Sequence, residues 1–216
     1  MSAAPDLRTR WRRFRREHLP DPMVRLLRRE LGPMASVLDV GCGSDSPLQF
    51  VRIQGRTVGV DAFEPSLEAS RARKLHDEYL HMDLSKQELP AKSYDAVVLL
   101  DLIEHFDKEE GLRFLARLES LALRKVVVFT PNGFLAQPPY ENNPWQLHRS
   151  GWSVKDFEAL GYRVQGALGW KALRGELHRP RFRPWPLWER VANLSQLWTL
   201  NRPGLDAGLL AVKDLA

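Results

Sequence analysis

The chain carries one cysteine, Cys42, among its 216 residues. No internal disulfide can form, and such sparse use fits a reducing compartment. No apolar run is long enough to span a membrane, and the Arg-rich beginning lacks the apolar segment of a secretory signal. A cytoplasmic location is therefore expected. Repeats and low-complexity tracts are missing too, and tryptophan is missing from residues 33–131 although six of the seven tryptophans lie between 145 and 198. With 44% hydrophobic content the chain can bury a full core, expected as one domain with decorations.

Net positive charge is also missing from most of the chain. Residues 1–32 hold nine Arg against four acidic residues, which accounts for the whole net charge of +5. Within that arm Leu7, Trp11 and Phe14 fall at helical spacing among six arginines, a basic amphipathic stretch. Its target is nucleic acid, an anionic membrane surface, or the protein's own body. A second helix follows, with Asp21 and Pro22 as cap and first turn, Val24, Leu27 and Leu31 as apolar face, and Gly32 as stop. The expected division is a basic helical arm over 1–32 and a domain over 33–216, with a lid loop at 131–151 and an insert at 169–207.

The rest is organised around Val37-Leu38-Asp39-Val40-Gly41-Cys42-Gly43-Ser44. A short β-branched run reads as a buried parallel strand, and Gly41 and Gly43 then allow positive φ and close approach of a ligand to the backbone. Two cofactors compete for this turn. A dinucleotide needs G-x-G-x-x-G, and Ser46 stands where the third glycine belongs. Asp39, two residues before Gly41, would repel a diphosphate but suits the ammonium of an amino-acid-bearing cofactor, which points to S-adenosylmethionine. VLDVGCGSDSP resembles the first motif of the class I S-adenosylmethionine-dependent methyltransferases.

From Ala35 onward strand and helix alternate, the pattern of a parallel sheet with helices on both faces. Strands are predicted at 36–40, 57–61, 78–81, 94–100, 125–130, 162–168 and 208–213. Helices are predicted at 47–53, 65–76, 108–123 and 153–160, the last with a Ser153/Asp156 capping box. The succession resembles the family's Rossmann-like, doubly wound α/β fold, which implies seven strands with the last antiparallel and places the insert between strands six and seven.

Ligands of such sheets sit outside the carboxyl ends of the strands, and acidic residues collect there: Asp39, Asp61, Asp83 and Asp101. Asp61 suits both ribose hydroxyls, since a carboxylate offers two acceptor oxygens to two donors. Gly41, Cys42 and Gly43 form the cofactor turn, with Cys42 a small buried hydrophobe and not a catalytic thiol. Ala62 and Phe63 follow Asp61, with Phe63 against the adenine face. The resemblance implies that Asp83 accepts from the adenine amino group, that the Leu84 amide lies near the ring, and that Asp101 and Leu102 of LLDLIEHF border the methionine part. An Asp ending a strand is also often a plain turn-former.

Two histidines are candidate bases. His105 follows Glu104 at a helix start, where a structural role stays open, and His148 lies in the 131–151 loop, long enough to be a lid. His148 is expected to matter more to turnover. No residue is assigned to a metal. The tryptophans and arginines of the insert suit an acceptor with a flat or apolar face and an anionic group, such as a lipid, aromatic acid or glycan phosphate. The expected activity is methyl transfer to oxygen or nitrogen of a small-molecule, lipid or glycan-like acceptor, with peripheral membrane contact open. RNA methylation comes second, favoured by the basic arm but lacking an RNA-binding module or an N-P-P-[YFW] motif after strand four. Cofactor binding without catalysis is a third reading.

Overall fold

A computed structural model of the chain describes residues 21–137, 144–175 and 179–215. The elements run α1 (Pro22–Leu31), β1 (Ser36–Val40), β2 (Arg56–Asp61), α2 (Glu64–Ala72), β3 (Glu78–His81), β4 (Tyr94–Leu100), α3 (Lys108–Leu121), β5 (Ala122–Pro131), α4 (Val154–Ala159), β6 (Arg163–Gly166), α5 (Trp185–Thr199) and β7 (Gly208–Asp214). The seven strands form one sheet in the order β3-β2-β1-β4-β5-β7-β6. β7 runs antiparallel to both of its neighbours, and the other pairings are parallel. Strand order reverses between β1 and β4, which opens the crevice where ligands of such sheets bind.

The apolar runs serve two cores because successive side chains in a strand point to opposite faces. Leu38, Val40, Val97, Leu99, Val126, Val128, Leu209 and Ala211 pack under α3 and against Trp152 and Phe157. Their sequence neighbours Val37, Ala96, Val98, Val127, Phe129, Leu210 and Val212 pack under α1. Both faces are covered, which is why these strands read as continuous apolar runs and not as alternating ones.

Helix α1 belongs to the second core. The Asp21 side chain accepts from the Met23 and Val24 amides, and Met23, Val24, Leu26, Leu27 and Leu31 are buried. The amphipathic stretch at Leu7, Trp11 and Phe14 lies outside the described residues. Glu30, 4% exposed, takes Lys125 Nζ at 2.7 Å on Oε2, with Arg163 and Arg29 also donating to its carboxylate. Burial pushes the Glu30 pKa up, but the hydrogen bonds from Lys125, Arg163 and Arg29 outweigh it and bring it from 4.5 to about 2. A folded pKa below the unfolded value means that the contribution is complete above pH 4.5 and is lost as pH falls toward about 2. Glu30→Gln should cost roughly 1–3 kcal/mol at neutral pH, at the low end because two of the three cations keep solvent. Melts of the two proteins should converge at the acid end of that window.

Several elements differ from their predicted form. The helix expected at 47–53 is a 3-10 turn over Pro47–Phe50, capped by Ser46 and closed when the Val51 amide returns to Leu48 O. The helix expected at 65–76 ends at Ala72, after which Lys74 takes φ 55°. α3 passes into β5 without a connector, and a register irregularity between Tyr94 and Ala96 absorbs the extra residues. The insert contains a helix, α5, that its sequence does not announce.

Candidate functional site

The turn after β1 is held from the sheet side. The amides of Gly41 and Cys42 donate to Val60 O at 2.8 and 3.1 Å, and Gly41 and Gly43 take φ of 67° and 56°. A methyl group at Gly41 would stand 2.7 Å from Leu102 Cδ1, whereas one at Gly43 would meet nothing within 4 Å. One glycine therefore lets the β4 turn pack close, and the other faces open space.

Asp61, ending β2, closes the turn. Its Oδ2 accepts from the Gly43 amide and its Oδ1 from the Phe63 amide, both at 2.8 Å. Burial raises its pKa, the two amides oppose that, and the charge of Asp39 adds to the rise. Ala62 and Phe63 follow, both half-buried. Asp39 sits deeper than its expected partner, a cofactor ammonium, suggested. It is 1% exposed, its Oδ2 accepts from Ser46 Oγ at 2.5 Å, and His76 Nε2 lies 3.3 Å away without hydrogen-bond alignment. Asp39 supports the turn from beneath. Cys42 is buried, and burial, with the charges of Asp39 and Asp61 adding, pushes its thiol pKa far up, so no thiolate forms there.

Asp83 makes a turn of its own after β3. Oδ1 accepts from the Ser85 amide and hydroxyl at 3.0 and 2.6 Å, and Lys86 Nζ is 3.0 Å from Oδ2. Leu84 puts its side chain into the core. At the end of β4, exposed Asp101 takes φ 52°, a strained value for a residue with a Cβ, and Leu102 covers Gly41.

Glu104 and His105 continue the same stretch in a 3-10 turn over Ile103–His105. Glu104 is 2% exposed, its Oε2 accepts from Thr130 Oγ1 at 3.0 Å, and its backbone carbonyl takes the amides of Arg149 and Ser150. That carbonyl holds the far end of the 131–151 loop, where His148 meets His105 with ring centroids 4.8 Å apart at 70°. His105 Nδ1 lies 3.2 Å from Leu147 O and His148 Nδ1 2.6 Å from Leu135 O. Burial lowers both pKa values, that of His105 to about 4, so both rings are neutral at pH 7. Burial likewise raises Glu104, as does the charge of Asp101. Both histidines thus join Glu104 at the turn after β4.

The sequence reading missed Thr130, Ser46 and His76. Thr130 stands at the carboxyl end of an apolar strand, the position that marks the aspartates, but it carries no charge to set it apart. It also missed Asn132, whose side-chain amide donates to Pro203 O, Gly204 O and Asp206 O and so ties the lid's start to the end of the insert. Within the insert, α5 leaves Leu187, Leu194 and Trp198 exposed on one side at helical spacing, and Arg202 sits over the Trp198 ring at 5.3 Å. Among the described residues no helix is long and apolar enough to cross a membrane.

A glycine turn at the switch point of a parallel sheet, closed by a carboxylate ending the next strand, defines a nucleoside-cofactor-binding α/β protein. The methyltransferase domain family matches residues 38–121, which span that turn through α3. A search of curated proteins gave no match. Among solved structures the chain is similar to a SAM dependent methyltransferase from Archaeoglobus fulgidus at 20% identity and TM-score 0.59, covering 97% of this chain and 100% of that one. It is similar as well to the magnesium protoporphyrin IX methyltransferase of Synechocystis with bound SAH, at 15% identity and TM-score 0.54, covering 100% and 90%. The plantazolicin methyltransferase BpumL, in complex with a pentazolic desmethylPZN analog and SAH, gives 17% identity and TM-score 0.56 over 98% and 91%. At such identities the likeness is one of fold. The methyltransferase domain match over residues 38–121 and the shared fold are those of S-adenosylmethionine-dependent methyltransferases, and they support that enzyme class for this chain.

Its cofactor is S-adenosylmethionine. The open approach at Gly43, beside a carboxylate that still has lone pairs to give, fits an adenosine group laid along the backbone.

Proposed function

We propose that the protein methylates a hydroxyl oxygen of an amphiphilic or anionic small-molecule or lipid-like acceptor. The observation that carries this reading is the pair of neutral imidazoles, His148 buried and His105 half-buried, whose ring centroids meet 4.8 Å apart after β4. With Nδ1 given to a backbone carbonyl, each ring keeps its lone pair on Nε2, where an acceptor's proton can go. Methyl transfer otherwise asks for positioning and exclusion of water, which the cofactor's own electrophile makes sufficient. In this reading Asp61 takes the ribose hydroxyls, Ala62 and Phe63 flank the adenine, Asp83 and the Leu84 amide take its edge, and Asp101 and Leu102 border the methionine part. Asp39 acts through Ser46 and the turn. The exposed Leu187, Leu194 and Trp198 with Arg202 support an acceptor that is apolar and anionic, or one drawn from a membrane surface. The RNA reading rests on the basic arm, which lies outside the described residues up to Pro20.

Calorimetry should give S-adenosylmethionine a low-micromolar affinity, about −8 kcal/mol, and NAD none; preference for NAD would sink the cofactor assignment. The acceptor is sought by incubating the protein with methyl-labelled cofactor and fractionated cell extract. Label in a lipid or small-molecule fraction, stable to the mild base that cleaves methyl esters, is the expected result, whereas label only in RNA reverses the order of the readings. Once the acceptor is known, His148→Ala should lower kcat by about a hundredfold or more with S-adenosylmethionine affinity kept. His105→Ala should lower it less, since His148 is the buried ring of the pair. Equal rates in all three proteins would mean that positioning alone suffices.

A further inference from the structure

Glu104, His105 and His148 each offer a ligand atom, and these atoms all lie within 4.8 Å of one another. They come from two distant pieces of chain, the turn after β4 and the end of the lid, so local sequence does not explain their meeting. Glu104 Oε1 is buried and has no hydrogen-bond partner, although Oε2 of the same carboxylate is held by Thr130. A buried carboxylate oxygen left empty costs about 1–3 kcal/mol or more, a cost that a ligand at that oxygen removes. The two histidines are prepared in the same sense. A carbonyl can only accept, so the hydrogen of each ring sits on Nδ1, bonded to Leu147 O and Leu135 O, and the lone pair sits on Nε2. Imidazoles that bind metals are commonly fixed this way by an outer carbonyl or carboxylate.

We propose that Glu104, His105 and His148 bind one divalent transition-metal cation, of the Zn2+ or Mn2+ kind, with its remaining positions open toward the acceptor. Two imidazoles and a carboxylate suit these ions, and a three-ligand set leaves room for a substrate oxygen. The proposal deepens the hydroxyl reading and rests on it, with the two Nε2 lone pairs given to the cation, so that the histidines act as ligands in place of proton acceptors. The cation binds the hydroxyl oxygen and acidifies it, as a bound cation brings the pKa of water from 15.7 to about 7. The proton leaves to solvent, the oxygen–carbon bond forms as the carbon–sulfur bond breaks, and the electron pair left on sulfur cancels the sulfonium charge.

The test uses the full, untagged chain after treatment with a chelator. Equilibrium dialysis against Zn2+ and Mn2+ should show one cation per chain, and Co2+ should give a ligand-field absorption spectrum without a thiolate band. Glu104→Gln and His148→Ala should each weaken binding by about tenfold or more, with S-adenosylhomocysteine affinity unchanged as the sign that the fold is intact. Absence of a cobalt spectrum in the unmodified chain overturns the site, a result that does not depend on any variant folding. A cation whose affinity neither substitution moves overturns it as well. Undiminished methylation of a hydroxyl after chelation removes the cation and leaves the acceptor reading standing; bound cation with no hydroxyl acceptor found does the reverse.

Discussion

Asp61→Ala should lower S-adenosylmethionine affinity by well over tenfold, and Asp61→Asn should do nearly as much. The carboxylate has more than one task. Oδ2 holds the Gly43 amide and Oδ1 the Phe63 amide, each at 2.8 Å, and each oxygen has a second lone pair for the ribose hydroxyls. Alanine removes the acceptors from both sides, at about 1.5–3 kcal/mol for each hydrogen bond to a charged group. Tenfold in affinity needs only about 1.4 kcal/mol. Asparagine keeps the shape but turns one oxygen into an N–H donor that must face the Gly43 or Phe63 amide, a donor against a donor. Because burial raises the Asp61 pKa above its ordinary 3.8, affinity should fall on acidification earlier than an exposed carboxylate would predict. Calorimetry with S-adenosylmethionine and S-adenosylhomocysteine checks this, and an affinity within twofold of the unmodified protein would remove Asp61 from the site.

The second large effect lies far from the glycine turn. Asp206 is 0% exposed. Its Oδ1 accepts from the Leu168 and Gly208 amides at 2.8 and 3.1 Å, and its Oδ2 from the Gly169 amide at 2.9 Å and from Thr199 Oγ1. One carboxylate thus joins the end of β6, the last turn of α5 and the start of β7. Asp206→Ala strips three buried amides and a hydroxyl of their acceptor, at about 1–3 kcal/mol each, so a loss of at least about 3 kcal/mol is expected. For a chain of this size that is a fall of roughly 6 °C or more in Tm. A shift under about 2 °C would show that water replaces the carboxylate at little cost.

The sequence showed the sheet more fully than the site because burial of both faces leaves an unbroken apolar signature in β1, β4 and β5, and strand ends can be read from the polar residues that stop them. The glycine turn and Asp61 were legible for the same reason, being fixed by local backbone demands at a known distance. Asp39 was legible as a strand-ending acid but not as a buried one, since Ser46 and His76 come to it only through the fold. The turn at Pro47 has the cap and the proline of a helix, yet its apolar residues pack against α1 in one short turn and the chain then leaves. α5 hid because most of its apolar residues face outward. The meeting of Glu104, His105 and His148 depends on the hydrogen bonds from Arg149 and Ser150 to the Glu104 carbonyl, across more than forty residues of chain. Asp206 looks like any loop aspartate until its four donors arrive.

The burial of Cys42 has a practical consequence. It is the chain's only thiol, 4% exposed and held protonated by its surroundings, so alkylating reagents find nothing to react with on the folded protein. A single cysteine introduced on the lid, as in Leu147→Cys at a position 41% exposed, can then carry a nitroxide or a fluorophore alone, with Cys42 left in place. Spectroscopy of that loop during turnover therefore needs no thiol-free background, and the glycine turn around Cys42 stays untouched while the loop is watched.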